Sequence, residues 1–150
     1  MTGILDETSI ERVLSNAFVG RIGTHLDGRT YVVPVTFAYD GTYVYGHSNE
    51  GMKLRMMRAN PSVCFEVDRV RDLVNWESVI AWGTFEELSG DEALRGLLAI
   101  VAHIRPLIPA DIVHPSPARE QARSEPMDPP GTAIVYRIRL HEKTGRFEKK

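Results

Sequence analysis

The chain has 150 residues, 43% of them hydrophobic and 25% charged, which fits one domain spanning 1–150 with a sizeable core. A formal net charge of −2 speaks against nucleic-acid binding, which calls for a basic excess, and no apolar run approaches the ~20 residues of a membrane helix. Met1 to Asp6 lacks the basic patch and apolar stretch of a secretory signal. The single cysteine, Cys64, leaves no internal disulfide and no cysteine-based zinc site, so a cytoplasmic setting is expected.

Thr8 and Glu11 have the spacing of a capping box. Ile10, Val13, Leu14 and Ala17 then recur at helical intervals, predicting a short helix over 8–16. Three β-rich runs follow: 18–26, 30–39 and 42–47. They are separated by Asp27-Gly28 and Asp40-Gly41, pairs that favour type I′ hairpin turns, so the expectation is a three-stranded antiparallel meander. Pro34 interrupts the second run. Proline donates no ladder hydrogen bond, and a local break that opens a slot for a ligand is expected there.

A short helix is predicted over 52–60, stopped by Asn60-Pro61. Two more strands are predicted over 63–70 and 79–88, with a polar loop over 69–77. Asp91 is the expected cap of another helix running to about His103, with Leu94, Leu97, Leu98 and Val101 on its packing face. Residues 104–131 hold seven of the nine prolines and read as one long loop. A last strand over 132–140 leads to a turn at Lys143-Thr144-Gly145. Six strands with few helices indicate a small antiparallel barrel. Trp82 and Phe85 are expected to fill it, and Cys64 to be a buried small hydrophobe.

The segment His47-Ser48-Asn49-Glu50-Gly51-Met52-Lys53 carries the most chemistry. It joins a strand to a helix start, where unpaired N–H groups and the positive end of the helix dipole favour anions. Lys53 falls in the first helical turn, the wrong end for a cation unless an anion sits there. Lys53, Arg55 and Arg58 outnumber Glu50. The segment therefore reads as a phosphate site, the alternative being a plain turn with a solvated lysine. His25, His103, His114 and His141 lack metal-ligand spacing, and no metal site is expected. No Gly-x-Ser-x-Gly elbow is present, and no side chain is singled out as catalytic. Met52, Met56 and Met57 read as packing.

Several segments occur together in one order. They are Arg21-Ile22-Gly23-Thr24, Asp27-Gly28, Val32-Val33-Pro34-Val35, Tyr45-Gly46-His47-Ser48, Gly51-Met52-Lys53, Asn60-Pro61-Ser62-Val63-Cys64-Phe65 and Trp76-Glu77-Ser78-Val79 with Gly83. The ordered set, from about Ala17 to Leu88, resembles the pyridoxamine 5′-phosphate oxidase-like flavin-binding superfamily, in particular its nitroimidazole-resistance branch. The resemblance implies a mainly β fold, a six-stranded antiparallel split β-barrel of Greek-key type with short flanking helices. It also implies a homodimer with FMN at the subunit interface and a small-molecule substrate. By the same resemblance His47, Ser48 and Lys53 approach the FMN phosphate, and Gly51 and Met52 shape the turn. The backbone of Val33, Pro34, Val35 and Thr36 lies along the flavin ring, and Trp76, Ser78 and Val79 close the site from the partner subunit. The implied activity is that of an FMN-dependent oxidoreductase acting on a small planar substrate. Alternatives on the same barrel are a non-catalytic flavin carrier or sensor, a haem-binding module using His47 or His25, and a deazaflavin-dependent reductase. The arginine-containing C-terminal segment of true pyridoxamine 5′-phosphate oxidases has no counterpart in Gly145 to Lys150, so oxidation of pyridoxamine phosphate is not expected.

Overall fold

The computed structural model describes residues 1–109 and 133–150. In chain order the elements are β1 (Thr2–Ile4), α1 (Glu7–Asn16), β2 (Val19–Leu26), β3 (Arg29–Thr36), β4 (Ala38–Tyr39), β5 (Tyr43–Ser48), α2 (Met52–Ala59), β6 (Ser62–Asp72), β7 (Asn75–Glu87), α3 (Gly90–Ile104) and β8 (Ile134–Glu148). All strand pairings are antiparallel. The sheet order is β3-β2-β6-β7-β8-β5-β4, with β1 added to β8. The mainly β barrel expected from the sequence is present, with eight strands among the described residues in place of six.

The two ends of that strand order, β3 and β4, are consecutive in the chain and separated by Phe37 alone. One residue thus joins both edges of the sheet and rolls it into a barrel. Phe37 is fully buried, its N–H donates to the Phe18 carbonyl at 3.2 Å, and its ring meets Phe65 edge-on at 4.9 Å. Ile22, Phe65, Val67, Val79, Tyr136 and Ile138 fill the interior beside it, with Leu54 and Met57 of α2 and Val13 and Leu14 of α1 closing the ends.

This closure corrects the expected meander. The run over 30–39 splits at Phe37, so β3 pairs only with β2 among the described residues, while β5 lies between β4 and β8. The first Asp-Gly turn behaves as predicted, with φ of 50° at Asp27 and 78° at Gly28, the positive pair of a type I′ turn. The second differs. Only Gly41 has positive φ, and Asp40 Oδ1 accepts from the N–H groups of Thr42 (2.9 Å) and Tyr43 (2.7 Å), an Asx turn. The β2–β3 ladder runs unbroken from Val19↔Thr36 to Leu26↔Arg29. Pro34 therefore causes no interruption; it is tolerated because β3 is an edge strand.

Other expectations shift at their boundaries. The cap of α1 is Asp6, which accepts from Ser9 N–H at 2.8 Å; Thr8 lies inside the helix. Ser89 precedes α3, with Asp91 in its first turn. The predicted polar loop over 69–77 is mostly strand, leaving Leu73 and Val74 as the turn between β6 and β7. β8 likewise runs straight through Lys143-Thr144-Gly145. Phe85 fills the barrel, but Trp82 faces outward with 41% of its surface exposed, and Cys64, its cross-strand partner, is only partly buried. On α3 the buried residues are Gly96 and Ile100, while Leu94, Leu98 and Val101 are exposed. The 104–131 loop opens with a turn of 3₁₀ helix at Arg105–Leu107; from residue 110 to its end it lies outside the described residues.

Gly83 marks the one irregularity in the β7–β8 ladder. A Cβ there would stand 2.4 Å from the Arg139 carbonyl oxygen, and backbone cannot swing aside as a flexible side chain can. Gly83→Ala is expected to destabilise the protein by about 1–3 kcal/mol, read as a lower urea midpoint with an unchanged slope.

Candidate functional site

The helix start after β5 is built as the sequence suggests. Gly51 precedes α2 with extended backbone (φ 178°), no side chain caps the helix, and its first turn holds no acidic residue. The leading N–H groups of α2 thus have no side-chain acceptor. Gly51 is not sterically required, since nothing lies within 4 Å of a Cβ built there. Met52 is at the surface, whereas Met56 and Met57 are buried.

Lys53 projects from this first turn and is half-buried. Its Nζ lies 6.0 Å from the centroid of the Tyr136 ring, and it has no carboxylate partner among the described residues. Burial lowers its pKa. His47, on β5, is also half-buried, and its pKa is lowered first by burial and then by the Lys53 charge. Ser48 ends β5 with its hydroxyl donating to the Asn49 carbonyl at 2.6 Å. Below them Tyr136 is fully buried, its hydroxyl without a hydrogen-bond partner among the described residues. Gly46 makes room for that hydroxyl, which would stand 2.4 Å from a Cβ at position 46. The ring has an ionisation pushed above the usual tyrosine range by burial.

The local charge balance is narrower than the sequence indicates. Arg58 is bound to Glu50 by two contacts of 2.8 Å and to Glu87 at 2.5 Å. Its charge is therefore satisfied, leaving Lys53 and Arg55. Arg55 lines a surface cavity of about 360 Å³ with Met52, Met56, Arg29 and the Leu26-Asp27 turn.

The remaining expected residues lie on two other strands. On β3, Val35 is buried and Val33 packs against the core, while Pro34 and Thr36 are exposed. On β7, Val79 is fully buried, and Trp76 and Ser78 alternate to the opposite face. That outer face continues across the sheet. One register row reads Val32, Gly23, Cys64, Trp82, and the next reads Pro34, Arg21, Glu66, Ile80. Val32, Trp82 and Ile80 expose 59%, 41% and 39% of their surface. Sequence reasoning missed Trp82 and Ile80, assigning the tryptophan to the interior; period-2 alternation from Val79 and Ala81 is the signal that would have placed both outside. Within the chain the His47–Lys53 cluster and the Trp76–Ser78 pair are not brought together, because α2 leads into the start of β6 and Trp76 pairs with Val70 near its far end.

Comparison with known proteins gives a consistent result. A family model described as pyridoxamine 5′-phosphate oxidase matches residues 6–147. The chain is similar to the uncharacterized protein RA0666 of Rhizobium meliloti (strain 1021), with 28% identity over 85 residues; these are 57% of this chain and 56% of that protein, so little more than half of the relative is spanned. Among solved structures it is similar to a FAD-binding protein (mll6688) of Mesorhizobium loti, with 26% identity, a TM-score of 0.78 and 99% of both chains covered. It is similar also to a candidate 5-nitroimidazole antibiotic resistance protein of Bacteroides thetaiotaomicron, with 22% identity, a TM-score of 0.71, and 98% of this chain and 87% of that one covered.

The pKa of His47 offers a direct check on the cluster. In ¹H–¹⁵N spectra His47 is expected to titrate below 6.5, and Lys53→Gln to raise its midpoint while leaving it below that value, because burial is the larger cause. Since the folded pKa is the lower one, the unfolded chain binds more protons in this window. His47 therefore adds stability that is present above pH ~6.5 and is lost as pH falls through the folded pKa.

Proposed function

The chain belongs to the pyridoxamine 5′-phosphate oxidase family, and from that premise we propose that it holds FMN at the interface of a homodimer and acts as an oxidoreductase on a small planar substrate. The observation that carries this reading is the Lys53 ammonium, half-buried with no carboxylate partner among the described residues, at the uncapped start of α2. Burying a charge without a counter-ion is costly. A phosphate placed there receives the ammonium and the leading N–H groups of α2, with the Ser48 hydroxyl as a third donor once it turns from the Asn49 carbonyl, and it relieves the repulsion between Lys53 and a protonated His47. The unpartnered hydroxyl of Tyr136 is a further polar group under the same cluster. These donors fit a phosphate monoester such as that of FMN.

The ring would lie along the backbone of Val33 to Thr36, where β3 has its open edge. Trp76, Ser78 and Val79 would close the site from the partner subunit, Trp76 and Ser78 by side chain and Val79 by backbone, its side chain being buried. In one protomer the row from Pro34 to Ile80 crosses three strand spacings, about 14 Å, with Ser78 further along β7. Pro34 and Thr36 nonetheless share one sheet face with Trp76 and Ser78. A twofold that packs this face on its copy would set one protomer's β3 against its partner's β7, and it would cover the exposed Trp82, Ile80 and Val32. The flavin, when bound, supplies the hydride chemistry. The chain's own groups hold the phosphate, present backbone to the ring edge and exclude water from its inner side. FAD in place of FMN is the second reading, supported by the name of the Mesorhizobium loti protein; it uses the same phosphate donors.

The experiment is an absorption titration with FMN and with FAD, alongside mass spectrometry of any cofactor released on denaturation. Flavin binding by the wild-type protein, weakened about tenfold or more in Lys53→Ala through loss of a charge-assisted contact, is the expected result. Light scattering should show a dimer, and Trp82→Glu should dissociate it and release the flavin together. A protein that ignores both flavins ends the reading, and a monomer that still binds FMN ends its interface part.

A further inference from the structure

α3 rests on the barrel by one side only. Its buried residues are Gly96 and Ile100, and Gly96 faces Tyr45, Val135 and Leu88. Each of the two lies two positions from Leu98, about 200° around a helix, so Leu98 points directly away from the barrel. Leu94, Leu98 and Val101 line this outer side and expose 55%, 57% and 41% of their surface. A helix that packs by one face carries polar residues on the other, and a helix that is apolar all round is buried all round. α3 is apolar on both sides, yet its outer side is uncovered among the described residues.

That outer side has the pattern of a helix seam. Asp91, Leu94, Leu98, Val101 and Arg105 follow one another at alternating steps of three and four residues, the spacing of paired apolar positions in packed helices. Arg105 continues the row because its backbone is still helical. The apolar residues are central, and the two charges stand seven residues either side of Leu98 with opposite sign. Neither Asp91 nor Arg105 forms an ion pair among the described residues, whereas Glu92, off the seam, reaches Arg137 at 3.6 Å. Such a row is complementary to itself turned end for end. An antiparallel copy sets the leucines and valines against one another and brings each Asp91 towards the Arg105 end of the other helix. It also opposes the two helix dipoles. A parallel copy would set acid on acid and base on base.

We propose that the outer side of α3 is a self-association surface on which a second copy of this chain docks antiparallel, with Leu98 at the twofold. α3 packs on β4, β5 and β8, while the exposed Val32, Ile80 and Trp82 belong to β3 and β7. The contact is therefore separate from the sheet-face dimer of the flavin reading, adds to it, and stands or falls without it. A single short helix pair falls below the ~1,200 Å² of a standard stable interface, so this contact forms at higher concentration than the dimer.

The test is sedimentation equilibrium of the full chain from micromolar to millimolar concentration. The average mass is expected to climb past its low-concentration value. Leu98→Glu should weaken this step about tenfold or more, by placing charge at the centre of the seam, and leave the low-concentration species unchanged. Leu94→Glu is the second apolar variant, and circular dichroism checks that each variant folds. Trp82→Glu should keep the concentration-dependent step, which tells failure of the sheet-face dimer from failure of this contact. Charge reversal fixes the direction of pairing: Asp91→Lys and Arg105→Glu should each weaken association about threefold, and the two together should restore it. No climb in the wild-type protein, the result if another segment or another protein covers α3, overturns the proposal. So does a climb unmoved by both leucine variants, or a double charge variant that associates no more tightly than the single ones.

Discussion

The fold depends on closing the sheet through a single residue. With β3 and β4 at opposite ends of the strand order and only Phe37 between them, the chain must leave one edge and enter the other within two Cα–Cα steps. That junction survives because Phe37 is anchored from two sides: its backbone by the Phe18 carbonyl and its ring by Phe65. Its complete burial makes the junction the centre of the core. Once it is fixed, the rest of the architecture has little freedom. β3 is left with an open edge, β5 is delivered to β8, and the β5–α2 connection emerges where Lys53 stands over Tyr136. The site elements are therefore consequences of barrel closure more than of local sequence preference.

The electrostatics separate structural charges from available ones. Arg12, Arg21, Arg58, Arg137 and Lys143 are all committed to carboxylates. Most of these pairs are exposed enough that each stabilises the fold only slightly. Their larger effect is to use up opposite charge, which leaves other cations without a carboxylate partner among the described residues. Lys53 is one of them, and it stands in the first turn of α2, whose leading N–H groups offer further donors to an anion. Arg58 illustrates the point from the other side: by the count of charges along the chain it belongs to an anion site, yet Glu50 and Glu87 occupy its guanidinium.

What could be read from the sequence follows the range of the physics involved. The Asp27-Gly28 hairpin and the helix stop at Asn60-Pro61 are set by local backbone sterics, and both were legible. So was Lys53 at a helix start, because strand and helix periods change within a few residues around Gly51. The extent of β6 and β7 was not. Arg69, Arg71 and Asp72 look like a loop because charged residues are rare in strands, but here the hairpin projects past the barrel, where both faces meet solvent or a helix and charge costs nothing. Trp82 was misplaced for the converse reason. A large aromatic is assigned to the core by composition, whereas the alternation from Val79 and Ala81, and with it the register against Cys64 and Gly23, puts it on the outer face. The exposed leucines of α3 were misread similarly: Gly96, approached closely by Tyr45 and Val135, is what seats that helix, and a packing glycine leaves no hydrophobic signal.

The outer sheet face ties these errors to function. Had Trp82 filled the barrel, the exposed surface would read as polar and the domain as self-sufficient. With Trp82, Ile80 and Val32 outside, one face of the sheet is apolar along a continuous register row, yet Arg21, Glu66 and Asp68 sit beside it as a paired cluster. Such a face, apolar in one row and charge-paired in the next, is what a self-complementary contact requires: the apolar row drives burial, and the ionic row fixes alignment. Burial already raises the Glu66 pKa, reinforced by Asp68. The same row ends on Pro34. In the proposed dimer, then, the residues that align the subunits also border the strand edge offered to the flavin, and the alignment of the two chains and the shape of the binding site are set by one set of contacts.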